Sequence, residues 1–460
     1  MRNPVSLFHA PDEAAPLLSR GECEAIAKRV LGLAHADETR VTIQSTARGD
    51  TRFAVNQVST SGDDVDTTVT IRSTFGTKSA SVTTNRLDEA SLVESVKNAE
   101  ALARLTPEDP EFVPELGAQS YDPRASANQL MTALPSPDAR AAAVKAITTR
   151  ARAAGFIATG YVEARMTATA IATSRGLFGY QSSGAASLTT TVRSADGSSS
   201  GWAGANVLSW ADLDAAALGA HATEKATQTR NRRKAEPGQW TVVLEPTAVG
   251  NLIQLIGTAS QARAADEGRS FFSKAGGGNK IGSRIADERV TLVSDPADAG
   301  GAAFTPEGLP VERVTWIDKG VLKTLNYDRY WATKTGQSPT AAPNALRLVG
   351  GSSSIPEMIA STEQGLLVTR FWYIRSVDPR TLLFTGLTRD GTFFIEDGKV
   401  KHPVMNFRFN ESPMFMLNGI EMMGRSVRVS ASEDGSPAGA VVMPPLKCKD
   451  FRFSMLSDAI

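Results

Sequence analysis

Along the first half of the chain, hydrophobic positions switch between a helical period and a period of two. In residues 17–34, Ile26, Ala27, Val30 and Leu31 fall on one helix face. Four runs rich in β-branched residues follow, 41–46, 52–58, 66–73 and 77–83, with Arg48-Gly49-Asp50 read as a turn. They predict an antiparallel meander. A helix over 88–105 then places Leu92, Val93, Val96, Ala99 and Leu102 inward and stops at Pro107 and Pro110. The same order returns: a helix over 138–154 ending at Gly155, strands over 156–166, 168–174, 187–194 and 199–206, and a helix over 212–227. At an offset of 121 residues, Thr70, Arg72, Ser73, Gly76 and Ser79 meet Thr191, Arg193, Ser194, Gly197 and Ser200. An internal duplication (repeats 17–106 and 137–228) explains this, and so do two unrelated meanders sharing Ser/Thr/Gly turn chemistry. Residues 106–137 read as a proline-rich connector between the two sets.

The second half is strand-rich. Residues 240–272 open with a short apolar strand, Val242-Val243-Leu244, broken by Glu245-Pro246, where proline suits a first helical turn. Val249, Leu252, Ile253 and Ile256 then recur at helical spacing. Strands are predicted at 289–294, 312–317 and 321–325, with Asp318-Lys319-Gly320 turning between the last two, and a short helix at 326–334. Further strands fall at 365–374, 382–387, 392–395, 400–409 and 449–453, with a helix at 413–423. The expected fold class is α+β: an N-terminal domain, 1–233, of antiparallel meanders flanked by long helices, and a C-terminal domain, 234–460, of predominantly antiparallel β structure, closed or barrel-like. The basic run at 229–238 (Arg230, Arg232, Arg233, Lys234) lies at the boundary and reads as a solvated linker.

Composition narrows the classes. The 460 residues are 41% hydrophobic and 21% charged, which suits substantial cores. With 49 basic and 49 acidic residues the net charge is zero, so neither nucleic acid nor an anionic membrane is expected as a partner. Two cysteines, Cys23 and Cys448, argue against a disulfide framework. The first residues carry Pro4, Pro11, Asp12 and Glu13 without an apolar core, unlike a secretory signal, and no run approaches a membrane span. A cytoplasmic location is expected.

Candidate chemistry is sparse. His9, His35, His221 and His402 are scattered, and Asp63, Asp64 and Asp66 miss the spacing of a calcium loop. Cys23 reads as a small core residue. Lys447 and Lys449 flank Cys448 and could lower its pKa, but no base accompanies it, so a structural role is expected there too. The run Gly276-Gly277-Gly278-Asn279-Lys280 lacks P-loop spacing and reads as a flexible loop. The best recognition candidate is Phe371-Trp372-Tyr373 with Arg370 and Arg375; strand alternation would put Trp372 on one face and Phe371 with Tyr373 on the other. Arg370, Trp372 and Arg375 are therefore the candidate cleft-lining residues.

Several ordered segments together resemble the TldD/PmbA family, metallopeptidases once called modulators of DNA gyrase. They are Arg52-Phe53-Ala54-Val55-Asn56; Val242-Val243-Leu244 with Gly250 and Leu252; Ser270-Phe271-Phe272; Phe304-Thr305-Pro306-Glu307-Gly308-Leu309-Pro310; Ile317-Asp318-Lys319-Gly320-Val321-Leu322; and Ile395-Glu396-Asp397-Gly398-Lys399-Val400 with Pro403-Val404. The catalytic branch carries H-E-x-x-x-H on the helix after the apolar strand, with two histidines on zinc and glutamate as general base, plus a C-terminal cysteine ligand. With Gly250 matched, Gln254 and Leu255 stand at the His-Glu positions and Ala259 at the second histidine, and 421–435 holds no cysteine. The chain is thus similar to the TldE/PmbA branch. That resemblance implies no catalytic residues and no cofactor of its own, zinc being held by a homologous TldD-type catalytic subunit, and unfolded peptides as substrates. Two alternatives remain: a self-contained non-catalytic peptide-binding homodimer, and an active peptidase using another site.

Overall fold

In the computed structural model, which describes residues 17–124, 131, 133–296, 301–431 and 440–457, helix α1 (Arg20–Leu33) starts at a reciprocal cap. The Ser19 hydroxyl accepts from the Glu22 N–H, and the Glu22 carboxylate accepts from the Ser19 N–H. Strand β1 (Glu38–Ala54) alternates buried and less buried positions along nearly its whole length. It runs straight through Arg48-Gly49-Asp50, so the turn expected there does not form, and two expected strands are one. Gly49 instead makes room for the buried Arg140 guanidinium, whose Nη1 would lie 2.2 Å from a Cβ at that position. The chain turns at Val55-Asn56, with φ of 51° and 62°, a two-residue turn of the type asparagine favours. Asn56 anchors it: Nδ2 donates to the Phe156 carbonyl at 2.9 Å, and Oδ1 accepts from the Ala158 N–H at 2.7 Å.

Strands β2 (Gln57–Phe75) and β3 (Lys78–Thr84) and helix α2 (Glu89–Leu105) complete the first set. The second set is α3 (Pro137–Ala153), β4 (Ile157–Thr173), β5 (Phe178–Arg193), β6 (Ser200–Val207) and α4 (Ala215–Gln228). Here too, two expected strands, 156–166 and 168–174, are a single one. The six strands form one antiparallel sheet, β3-β2-β1-β4-β5-β6, with β1 and β4 at its centre. The two halves share register: Glu38 pairs Thr74, and 119 residues later Ile157 pairs Arg193. The second hairpins differ by two residues, since Thr74 pairs Ser79 and Arg193 pairs Ser200 across a longer turn. Val41, Ile43 and Phe53 share one face of β1 and pack under both helix pairs, so all four helices cover that face.

The junction at 229–238 is docked against the barrel as well as solvated. The Arg233 N–H donates to the Pro403 carbonyl, the Met405 N–H donates to the Arg233 carbonyl, and the Arg230 guanidinium lies 4.6 Å from the Phe156 ring centre.

Beyond it, β7 (Gly238–Leu244) leads into α5 (Pro246–Ala259). A small sheet, β10-β9-β8-β11-β18-β17, is built from β8 (Leu292–Ser294), β9 (Val314–Asp318), β10 (Val321–Leu322), β11 (Leu346–Leu348), β17 (Val427–Ser430) and β18 (Ala440–Met443). The other sheet closes on itself. β12 (Gln364–Asp378), β7, β19 (Leu446–Ser457), β15 (Asn406–Glu411) and β13 (Leu383–Glu396) form a five-strand ring, completed by β12 pairing with β13. β14 (Lys399–Pro403) adds to β13, and β16 (Ile420–Met423) pairs with β19. Phe371, Phe407, Phe409, Phe451 and Phe453 fill the ring, each contributing about 2–3 kcal/mol by burial. Three local expectations change. Residues 382–387 and 392–395 are parts of one strand, 400–409 spans two, and the helix from Pro413 ends at Asn418.

Candidate functional site

The strand–helix unit β7–α5 sits at the centre of the C-terminal half. Val242, Val243 and Leu244 are buried because β12 and β19 flank them on both sides. Glu245 precedes Pro246 at the helix start, but its carboxylate does not cap the helix. It meets the Lys225 ammonium of α4 at 2.7 Å, with Lys225 buried and Glu245 half-buried. Close approach then governs α5. A Cβ on Gly250 would stand 3.1 Å from Val441, and one on Gly257 would stand 2.9 Å from Leu346.

Asn251 and Gln254 occupy successive turns of this face, and both amides donate to one carbonyl, that of Ala431, at 2.8 and 2.6 Å. Asn251 also accepts from the Phe371 N–H at 3.0 Å, which ties α5 to β12. Leu255 packs half-buried on the core. Ala259 borders a surface cleft of about 490 Å³ lined also by Thr258, Gln261, Arg269 and Arg380. A zinc site needs imidazole, thiolate or carboxylate donors. The residues here do not fit that ion: position 254 offers an amide committed to a carbonyl, and 255 and 259 are hydrocarbon. Among the described residues no group of three or more His, Cys, Asp or Glu could hold a metal. Cys448 is buried on β19 opposite Val242, and burial, with Glu421 adding to it, pushes its thiol far above the ordinary value, against the lowering expected from the flanking lysines. Burial likewise pushes the Cys23 thiol up to about 11. Asn251 escaped the sequence reading, although a lone amide on an otherwise apolar helix face signals a buried polar group with dedicated partners.

The aromatic strand segment is divided by a bulge. Phe371 faces the core, stacked 5.5 Å from Phe451. Tyr373 has φ of 54° and is exposed, so it does not share the face of Phe371. Arg370 is buried, 4.6 Å over the Trp202 ring of β6, and Trp372 lies 4.0 Å beneath the Arg389 guanidinium. Arg375 lies apart, over Tyr373 at 4.2 Å on an exposed stretch. The structure thus brings Arg370 and Trp372 together with Trp202 and Arg389 and leaves Arg375 outside. Elsewhere, Asp63 pairs with Arg140 at 2.8 Å, and His402 stacks on Phe394 at 5.1 Å. His9 lies outside the described residues. No described helix is long and apolar enough to cross a membrane.

Two helix-flanked meanders in one sheet, joined to a five-strand ring around a buried strand–helix element, make up the frame of the chain. Residues 131–230 match the PmbA/TldA metallopeptidase central domain and 237–455 the PmbA/TldA metallopeptidase C-terminal domain. The chain belongs to the TldD/PmbA family. Among solved structures, TldE from Thermococcus kodakarensis superposes with a TM-score of 0.81 at 17% identity, covering 94% of this chain and 99% of that one. A protein from Bacteroides thetaiotaomicron described as a modulator of DNA gyrase gives 0.78 at 22%, covering 94% and 98%. At these identities the likeness is one of fold. A metalloprotease of Methanothermobacter thermautotrophicus is 24% identical over 263 residues, 52% of this chain and 54% of its own. A zinc metalloprotease TldD homolog of Saccharolobus solfataricus is 24% identical over 215 residues, 42% and 46%. The chain spans about half the length of these curated relatives.

Proposed function

We propose that this chain is a TldE-like, metal-free subunit that assembles with a homologous zinc-bearing TldD-type subunit in the cytoplasm and holds unfolded peptides for proteolysis or precursor maturation. The observation that supports the reading is the amide clamp of Asn251 and Gln254 on Ala431, which commits Gln254, one of the positions the family resemblance matches to the zinc motif, to a backbone carbonyl. Metal analysis of the purified full chain should find far less than one zinc per chain and no peptidase activity. Co-expression with a homologue bearing H-E-x-x-x-H should give a co-purifying pair that cleaves peptides. Stoichiometric, tightly held zinc with unaided peptidase activity would refute the reading. Stable self-association with peptide binding, and no association with the homologue, would replace it by the homodimer.

A further inference from the structure

Strand β2 outruns its outer neighbour. β3 pairs with residues 69–75 of β2, so residues 57–68 are bonded to β1 on one side and to no described strand on the other. Every residue from Gln57 to Asp66 is exposed, Val58 at 47% and Val65 at 51%. An open edge of this length presents a row of backbone N–H and C=O groups ready to pair with another chain.

The second half of the sheet carries the same stretch in covered form. β5 likewise outruns β6, which pairs with residues 186–193. Yet residues 178–185 of β5 lie against other segments. A Cβ on Gly179 would stand 2.8 Å from Tyr121 and 3.2 Å from Phe304, and one on Gly184 would stand 3.0 Å from Met131. Val65, across from Ala47, is the counterpart of Gly184, across from Met166, 119 residues on. Met131 clusters there with Ala164, Met166 and Ala186, whereas Val65 stands open to solvent. The open stretch is also acidic. Asp63 is taken by Arg140 at 2.8 Å, and Arg140 Nη2 donates to the Gly62 carbonyl at 3.5 Å. Asp64 and Asp66, two residues apart and so on one face, make no ion pair among the described residues. Arg48, across from Asp64 on β1, leans to Asp50 instead, at 3.9 Å.

We propose that residues 57–68 of β2 are a docking edge for an extended segment of another polypeptide, basic at alternate positions, which adds to the sheet as a further strand. The segment's backbone takes up the open ladder, as in other cases of strand addition. Its lysines or arginines face Asp64 and Asp66, and the intervening apolar residues lie on the opposite face, that of Val65. Like charges directly opposite one another are destabilising, so the same edge rejects an acidic segment. The inference goes beyond the role proposed above and needs neither zinc nor the homologous subunit, so the full chain alone tests it.

Calorimetric titration with an end-blocked octapeptide alternating lysine and valine should show saturable binding. The glutamate–valine analogue should bind at least about tenfold more weakly. So should the lysine–valine peptide with every backbone nitrogen methylated, which keeps its charge but donates no ladder hydrogen bond. Asp64→Asn with Asp66→Asn alters two exposed side chains and should fold, which circular dichroism checks. It should weaken the lysine peptide at least about threefold, two exposed ion pairs being lost. Val65→Lys, also at an exposed position, should weaken it at least about tenfold. Failure of the lysine peptide to saturate by roughly 1 mM overturns the proposal. So does equal binding of the methylated peptide, since the contact would then be one of charge alone, and so does a double asparagine variant that binds like the parent. A dimer in sedimentation that Val65→Lys breaks, with no peptide binding, gives the edge to a second copy of this chain and overturns the named occupant.

Discussion

The Lys225–Glu245 pair joins the last helix of the N-terminal set to the start of α5, and its removal gives a measurable test of how the halves are held. Lys225→Met keeps the aliphatic stem but deletes the ammonium 2.7 Å from the carboxylate. Stripping one partner from a buried pair costs about 3–5 kcal/mol, because the other charge stays behind unpaired. Glu245 is 16% exposed and sits at the N-terminus of α5, where the helix dipole returns about 0.5 kcal/mol. With a further allowance for the partial exposure of Glu245, the net expectation is a loss of about 2–3 kcal/mol, or roughly 5–10 °C in Tm for a unit of this size. His221 is a second neighbour. Burial first, and then Lys225, depress its pKa, while Glu245 favours its charged form. Without Lys225 it would gain a proton more easily and mask part of the effect, so urea unfolding should be followed at pH 8. In a cycle with Glu245→Gln, the coupling should be about 2 kcal/mol. A coupling below about 0.5 kcal/mol would show that the pair is merely solvated and that other contacts hold the halves together.

Asn251→Leu removes the donor to Ala431 and the acceptor for the Phe371 N–H, and should cost about 2–4 kcal/mol in urea unfolding; a loss under about 0.5 kcal/mol would contradict the clamp. Gly160→Ala places a Cβ 2.2 Å from the Thr189 carbonyl oxygen and 2.4 Å from Phe53, so it should lower Tm by more than about 5 °C, whereas Gly21→Ala, with open space, should change it little. Hydrogen bonding from Arg289 holds Asp287 down at about 2. A depressed carboxyl stabilises the fold above its unfolded pKa and loses that contribution as pH falls from about 4 to about 2. Asp287→Asn should therefore cost about 1 kcal/mol at neutral pH, after allowance for partial exposure, and the gap should close near pH 2.

Much of the architecture was legible from local pattern. The helical spacing of α1 and α2 and the proline at α5 are written in neighbouring residues, and those elements lie where the pattern puts them. Arg48-Gly49-Asp50 misled because it is a good local turn signal. The reason it stays extended is Arg140, on a helix remote in sequence, whose guanidinium needs the space above Gly49. Tyr373 misled in the same way, since alternation does not foresee a bulge set by the register of β13. Arg370 and Trp372 were visible as candidates, whereas Asp390 fell between two expected strands and Arg193 near the end of another.

By itself the sequence determined the family and the absence of metal donors at Gln254, Leu255 and Ala259, because identity at a motif position needs no coordinates. It also offered a repeat of two helix-flanked meanders, with two unrelated meanders as the alternative. Tertiary structure alone decided what occupies that helix face, where two amides share one carbonyl, and which charges meet where the two halves abut. Local periodicity is carried by consecutive residues, whereas a cluster such as Arg193, Arg370, Arg389 and Asp390 exists only once two separately built halves pack together.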